Sequence, residues 1–167
     1  YNWKRLRHHM SLNWQVLIDR FSYEHLYHVV ILPFYNEPEA VVDATLKSLS
    51  EVKYDKQSLV VVLAAEERAG KPAQALAEKM KAKYGEQFGY FLITSHPSDI
   101  AGEVAGKGAN AAWAAEEVRT KVLDPHGIRY NHTLVSIFDI DTVVYPDYFN
   151  CLIWHFMTAE RPLKTSF

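Results

Sequence analysis

Leu134-Val135-Ser136-Ile137-Phe138-Asp139-Ile140-Asp141 decides how this chain is read. An apolar, β-branched segment ends in two carboxylates separated by one residue. Such a run reads as a buried parallel strand that delivers acidic side chains to its carboxyl end. In open α/β sheets that edge is where ligands bind. Two carboxylates so close repel each other unless a cation lies between them or one keeps its proton. Mg²⁺ or Mn²⁺, shared with the oxygens of a diphosphate, is the economical explanation.

Outward from this stretch, strand-like runs alternate with helical patterns four times. His28-Val29-Val30-Ile31-Leu32 reads as a strand closed by Pro33. A helix is expected from Pro38, behind Asn36 or Glu37, with Val42, Leu46 and Leu49 inward. Leu59-Val60-Val61-Val62-Leu63 is the second strand; Ala73, Leu76, Ala77 and Met80 mark the next helix, ended by Gly85. Tyr90-Phe91-Leu92-Ile93 is a third strand, before a loop from Ser95 to Gly108. Ala111, Ala115, Val118 and Val122 mark the helix leading to the Asp139 strand. Pro146 opens a last helix with Phe149, Leu152, Ile153 and Phe156 inward.

This order predicts an α/β fold, a mostly parallel Rossmann-like sheet with helices on both faces. The polar clusters after each strand then gather along one edge: Pro33-Phe34-Tyr35-Asn36-Glu37, Glu66-Glu67-Arg68, Lys107-Gly108-Ala109-Asn110 and Asp139-Ile140-Asp141. Tyr35 suits the face of a nucleobase. Lys107, at a helix start, suits a phosphate through its charge and the nearby backbone N–H groups.

Composition sets the outer bounds. The chain has 167 residues, 49% hydrophobic and 23% charged, which suits one compact soluble domain with a sizeable core. Its net charge of −2 supplies no global basic field, so nucleic acid is not an expected partner. Cys151 is the only cysteine, which excludes an internal disulfide and argues against a cysteine-based zinc cluster. Reducing conditions fit that usage. No apolar run reaches the roughly 20 residues that span a bilayer, and no secretory signal is visible. The eight histidines read as surface or satisfied core residues.

Residues 1–27 form a separate N-terminal helical or linker segment. Trp3, Leu6, Met10, Leu17 and Phe21 fall near a helical period beside Lys4, Arg5, Arg7, His8 and His9. A helix lying on a membrane surface is one reading. A helix packed on the domain, or a linker, is the one favoured.

Residues 28–157 resemble the donor-binding half of a family 2 glycosyltransferase with the GT-A fold, including its cellulose-synthase-like processive members. The resemblance rests on Val29-Val30-Ile31-Leu32-Pro33-Phe34-Tyr35-Asn36-Glu37, on Gly106-Lys107-Gly108-Ala109-Asn110, and on Phe138-Asp139-Ile140-Asp141-Thr142 before Pro146-Asp147-Tyr148-Phe149. It implies that Pro33, Tyr35 and Glu37 line a nucleotide pocket and that Lys107 neighbours the nucleotide or its phosphates. Asp139 would contact the nucleoside or a metal, and Asp141 would ligate Mg²⁺ or Mn²⁺. Many relatives carry an aspartate just after the second strand, where this chain has Ala64-Ala65-Glu66-Glu67; Glu66 takes that place, with Glu67 the other candidate.

The resemblance further implies a nucleotide-sugar donor, UDP-linked by default, and a saccharide or lipid-linked acceptor. The parent enzyme would be cytoplasmic or on the cytoplasmic face of a membrane, associated with it through flanking segments. Residues 28–167 read as a nucleotide-sugar-binding domain truncated at its C-terminus. Residues 142–167 contain neither the Glu-Asp pair nor the Gln-x-x-Arg-Trp motif of the family, so no catalytic base is assigned.

Other chemistries fit less well. Asp139-Ile140-Asp141-Thr142-Val143 matches the nucleophile motif of haloacid-dehalogenase-type phosphatases, but that motif belongs on a first strand and here lies on the fourth. Gly102-Glu103-Val104-Ala105-Gly106-Lys107-Gly108 is one residue short of a P-loop and lacks Ser or Thr after the lysine. No Gly-x-Gly-x-x-Gly follows the first strand. A non-catalytic nucleotide-sugar-binding module remains an alternative. So do plain structural roles: a helix cap for Asn36-Glu37-Pro38, solvated loop charges for Glu66 and Glu67, and a surface position for Lys107.

Overall fold

β-Branched runs form the centre of the molecule because helices cover both of their faces. The computed structural model describes residues 2–102 and 106–164. In chain order the elements are α1 (Asn2–Ser11), α2 (Trp14–Ile18), β1 (Tyr27–Phe34), α3 (Glu39–Ser50), β2 (Leu59–Glu66), α4 (Gly70–Tyr84), β3 (Tyr90–His96), α5 (Lys107–Val118), α6 (Asp124–His126), β4 (Thr133–Ile137) and α7 (Tyr148–Thr158). A π-helical stretch, Arg119–Leu123, joins α5 to α6. All strand pairs are parallel, in the order β3-β2-β1-β4. The predicted α/β class and parallel sheet are therefore observed.

Side chains alternate across the sheet and split the core in two. Val30, Leu32, Val61 and Leu63 pack under α3, α4 and α7 through Val42, Leu46, Leu49, Ala77, Met80, Phe149 and Ile153. Val29, Ile31, Val60 and Val62 face α5 through Ala111, Ala114 and Val118. Right-handed crossovers dictate this division. The chain steps from β1 to β2 to β3 along one face, then returns across the other to reach β4 beside β1. That reversal creates a topological switch point between β1 and β4, where a crevice opens at the carboxyl edge.

The start of the β2–β3 pairing is fixed by one close backbone approach. The Gly89 N–H donates to the Lys56 carbonyl at 2.8 Å. A Cβ there would lie 2.0 Å from the Gln57 carbonyl oxygen, so only glycine fits. Gly127, with φ +64°, takes the left-handed conformation that closes α6.

Several local expectations need correction. Pro33 lies inside β1, opposite Ala64, instead of closing it. The preceding Ile31 carbonyl points towards β4, accepting from Phe138 N–H, and the backbone of Pro33, two residues on, faces the same side. β4 has already ended there, so the missing N–H breaks no ladder. Pro38 sits at the N-cap position, with Glu39 first in the helix. β3 runs on to His96. Ala114 is buried and Ala115 exposed, because a run of alanines offers no contrast between i+3 and i+4. α7 begins at Tyr148, and its Leu152 and Phe156 are only half-buried.

The deciding stretch is itself less buried than its composition suggests. β4 is an edge strand, with Val135 and Ile137 exposed at 56% and 51%. Their face is the one α5 covers, and α5 packs chiefly over β1, β2 and β3. The N-terminal segment is divided. α2 packs on the domain through Trp14 and Ile18. On α1, however, Trp3, Leu6 and Met10 are exposed. No described helix is long and apolar enough to cross a membrane.

Candidate nucleotide-binding cleft

An open cleft of about 510 Å³ lies at the carboxyl edge of the sheet, beside the switch point. Pro33, Phe34, Tyr35, Glu37, Glu66, Lys107, Asn110, Asp139, Ile140 and Asp141 line it, with Val41 from α3. All the residues singled out for nucleotide and metal thus share one cavity, although they come from the ends of β1, β2 and β4 and the start of α5. The volume is of the size that holds small ligands.

Each wall has a local cause. Beyond β1, the Tyr35 N–H donates to Glu37 Oε2 at 2.7 Å, so Glu37 folds back on its own turn. Neither Asn36 nor Glu37 caps α3, and Pro38 offers no capping side chain. The Arg68 guanidinium lies 5.3 Å from the centroid of the exposed Tyr35 ring and is paired with Glu66. That carboxylate neighbour raises the pKa of the already basic guanidinium. The Glu66 side chain is only 11% exposed, which sets it apart from an ordinary solvated charge. Glu67 points elsewhere: it lines a neighbouring cavity and accepts from both the N–H and the hydroxyl of Ser98. These donations hold its carboxyl below the usual range. Of the two candidates after β2, Glu66 belongs to the cleft.

Lys107 stands in the first turn of α5 and forms an ion pair with Asp139. One turn in, buried Asn110 donates from Nδ2 to the Ala64 carbonyl at 2.7 Å and so ties α5 to β2. Its Oδ1 has no partner among the described residues. Asn110 lies inside the Gly106–Asn110 segment but is not among the residues the sequence singles out; an amide following a helix start is its only local signal.

The acidic turn is held from behind. Thr142 N–H closes it on the Asp139 carbonyl at 2.9 Å. Thr45 Oγ1 donates to the Ile140 carbonyl, and Ser48 Oγ accepts from Val144 N–H at 3.2 Å. Asp139 and Asp141 therefore project outward, with the Asp139 side chain 72% exposed.

Four carboxylates and one ammonium line the cleft. Lys107 offsets Asp139 and Arg68 offsets Glu66, which leaves Glu37 and Asp141 without an ion-pair partner among the described residues. An anionic ligand would meet net repulsion unless a cation accompanied it. Two exposed carboxylates, with water and ligand oxygens completing the shell, fit Mg²⁺ or Mn²⁺. The Lys107 ammonium already occupies a cation-attracting position beside Asp139. The Gly102–Gly108 stretch weighed as a P-loop lies partly outside the described residues.

No protein-family model matches the chain, and no curated protein sequence matches it.

Proposed function

We propose that this chain is the donor-binding part of a metal-dependent, inverting glycosyltransferase, with a nucleotide-sugar, UDP-linked by default, as its ligand. One observation carries the reading. Pro33, Tyr35 and Glu37, Glu66, Lys107, and the Asp139/Asp141 pair converge from four segments on a single cleft at the switch point. The resemblance of the same segments to family 2 glycosyltransferases supports it.

In this reading Tyr35 offers a ring face to the base, backed by Arg68, while Glu66 accepts hydrogen bonds from the nucleoside. Lys107 exchanges Asp139 for the diphosphate, helped by the N–H groups opening α5. Asp139 and Asp141 would hold Mg²⁺ or Mn²⁺, which supplies positive charge to the departing diphosphate. Displacement at the anomeric carbon also needs a base within about 2.6–3.2 Å of an acceptor hydroxyl. Among the cleft carboxylates, Glu37 is held by Tyr35 and Glu66 by Arg68, and the other two are assigned to the metal. None of the four is thus free to serve as base for the acceptor, a saccharide or lipid-linked sugar. We accordingly propose that the segment binds donor without transferring sugar.

The exposed Trp3, Leu6 and Met10 of α1, with Lys4 and Arg7 beside them and no acidic residue in the helix, favour a site of action on a membrane surface; the cytoplasmic face is what the resemblance implies.

Calorimetry of UDP with the 167-residue chain tests the proposal. Binding should be tighter with Mn²⁺ or Mg²⁺ than with chelator, and Asp141→Ala should abolish the difference. Equal affinity in both conditions would overturn the assignment. Phosphate release from simple phosphomonoesters would favour the phosphatase alternative instead.

A further inference from the structure

Away from the cleft, His9, Cys151 and His155 place one imidazole nitrogen each and a thiol sulfur within 4.8 Å of one another. None of the three lines the donor cleft. Cys151 and His155 are four residues apart on α7 and so share one helix face. His9 arrives from the last turn of α1.

Two features fix that arrival. The Trp14 indole N–H donates to the His9 carbonyl at 2.7 Å, which ties the end of α1 to the start of α2. The Trp14 ring then packs beside both imidazoles, 5.6 Å from His9 and 6.0 Å from His155, while the two imidazole rings lie 6.1 Å from each other. α2 in turn packs on α7. All three ligand residues are half-buried, so each is accessible yet partly sheltered.

We propose that His9, Cys151 and His155 form a binding site for a borderline-soft divalent cation, Zn²⁺ by its chemistry, that clasps α1 to α7. Two imidazoles and a thiolate suit Zn²⁺ and are poor ligands for Mg²⁺ or Mn²⁺, which prefer oxygen. Tetrahedral zinc separates neighbouring N and S donors by about 3.3–3.8 Å, so closing the site needs about 1 Å of side-chain movement. Three protein ligands leave the fourth position to water. Binding releases the thiol proton to solvent and involves no redox change.

Co²⁺ titration of the whole 167-residue chain is the test, since Co²⁺ reports its geometry by absorption. One tetrahedrally coordinated ion per chain is expected, with a thiolate charge-transfer band and strong visible absorption. Cys151→Ser should remove the charge-transfer band, and His9→Gln or His155→Gln should collapse the tetrahedral spectrum. Asp139→Asn/Asp141→Asn should leave it intact, which separates this site from the donor cleft. Zn²⁺ should displace Co²⁺ and should shield Cys151 from a thiol reagent in the unaltered chain, whereas excess Mg²⁺ should do neither. His9→Gln lies on the largely exposed α1 and leaves the Trp14 bond to the residue 9 carbonyl in place, so its result is interpretable even if an α7 variant misfolds. A weak octahedral spectrum, a spectrum that survives His9→Gln, or one lost in the Asp139/Asp141 variant would overturn the proposal.

Discussion

Lys107 and Asp139 are ion-paired across the mouth of the cleft, joining the start of α5 to the turn after β4. Both side chains are at least half exposed, so the pair is weak and exchangeable. A phosphate would compete for the lysine and a divalent cation for the carboxylate. The pair therefore keeps both groups positioned while costing little to open.

Lys107→Ala should weaken UDP far more than uridine, because the lysine serves phosphate. The loss expected for one charge-assisted contact is about 1.5–3 kcal/mol. Glu66→Ala should weaken both ligands alike, since it acts on the nucleoside. Parallel calorimetric titrations with the two ligands measure this, and equal small losses throughout would return both residues to plain surface roles.

His28 should make the fold acid-sensitive. The ring is fully buried between Tyr54 and Phe149, and neither of its nitrogens has a partner among the described residues. Burial lowers its pKa from 6.5 to about 3. Above pH 6.5 the ring is neutral whether the chain is folded or not, and its burial carries no protonation penalty. As pH falls from 6.5 towards 3, only the unfolded chain takes up the proton, so stability drops by about 1.4 kcal/mol per pH unit, up to about 5 kcal/mol. Urea unfolding at pH 7.5 and pH 4.5 should show a loss about 2–3 kcal/mol larger for the natural chain than for His28→Phe.

The chain should bind vesicles containing an anionic phospholipid and leave neutral ones alone. Each basic residue near such a surface contributes about 1 kcal/mol. Sedimentation with vesicles should show Lys4→Gln/Arg7→Gln reducing binding and raised salt weakening it. Trp3→Glu, on the exposed face where Arg7 lies 5.7 Å from the Trp3 ring, should abolish it. Binding that ignores lipid charge would refute the membrane-facing role of α1.

What could be read from sequence divides along physical lines. Strands β1 and β2 were legible because nearly every residue is buried on both faces, which leaves an unbroken apolar run. β4 has similar composition, but its burial depends on how far α5 extends, a tertiary fact with no local signature. The gathering of site residues on one edge followed from parallel order alone, since every βα connection delivers its loop to the same side. Which charges pair there did not follow. Lys107 and Asp139 are 32 positions apart, and Glu66 meets Arg68 only because the chain turns immediately after β2. By sequence the histidines read as surface or satisfied core residues; the Cys151/His155 spacing of four is a visible sign of a shared face, but His9 comes near them only through the packing of α1 and α2.

Thr45 and Ser48, one turn apart on α3, grip the carbonyl of Ile140 and the amide of Val144. The acidic turn is consequently moulded while the chain folds, before any ligand arrives. Ordering a mobile loop residue costs about 1–2 kcal/mol of backbone entropy, and here that loss is charged to folding, where the core of α3 absorbs it. Affinity for a charged ligand is then limited by contacts alone, and removing the two hydroxyls would slacken the site without touching a single group that meets the ligand.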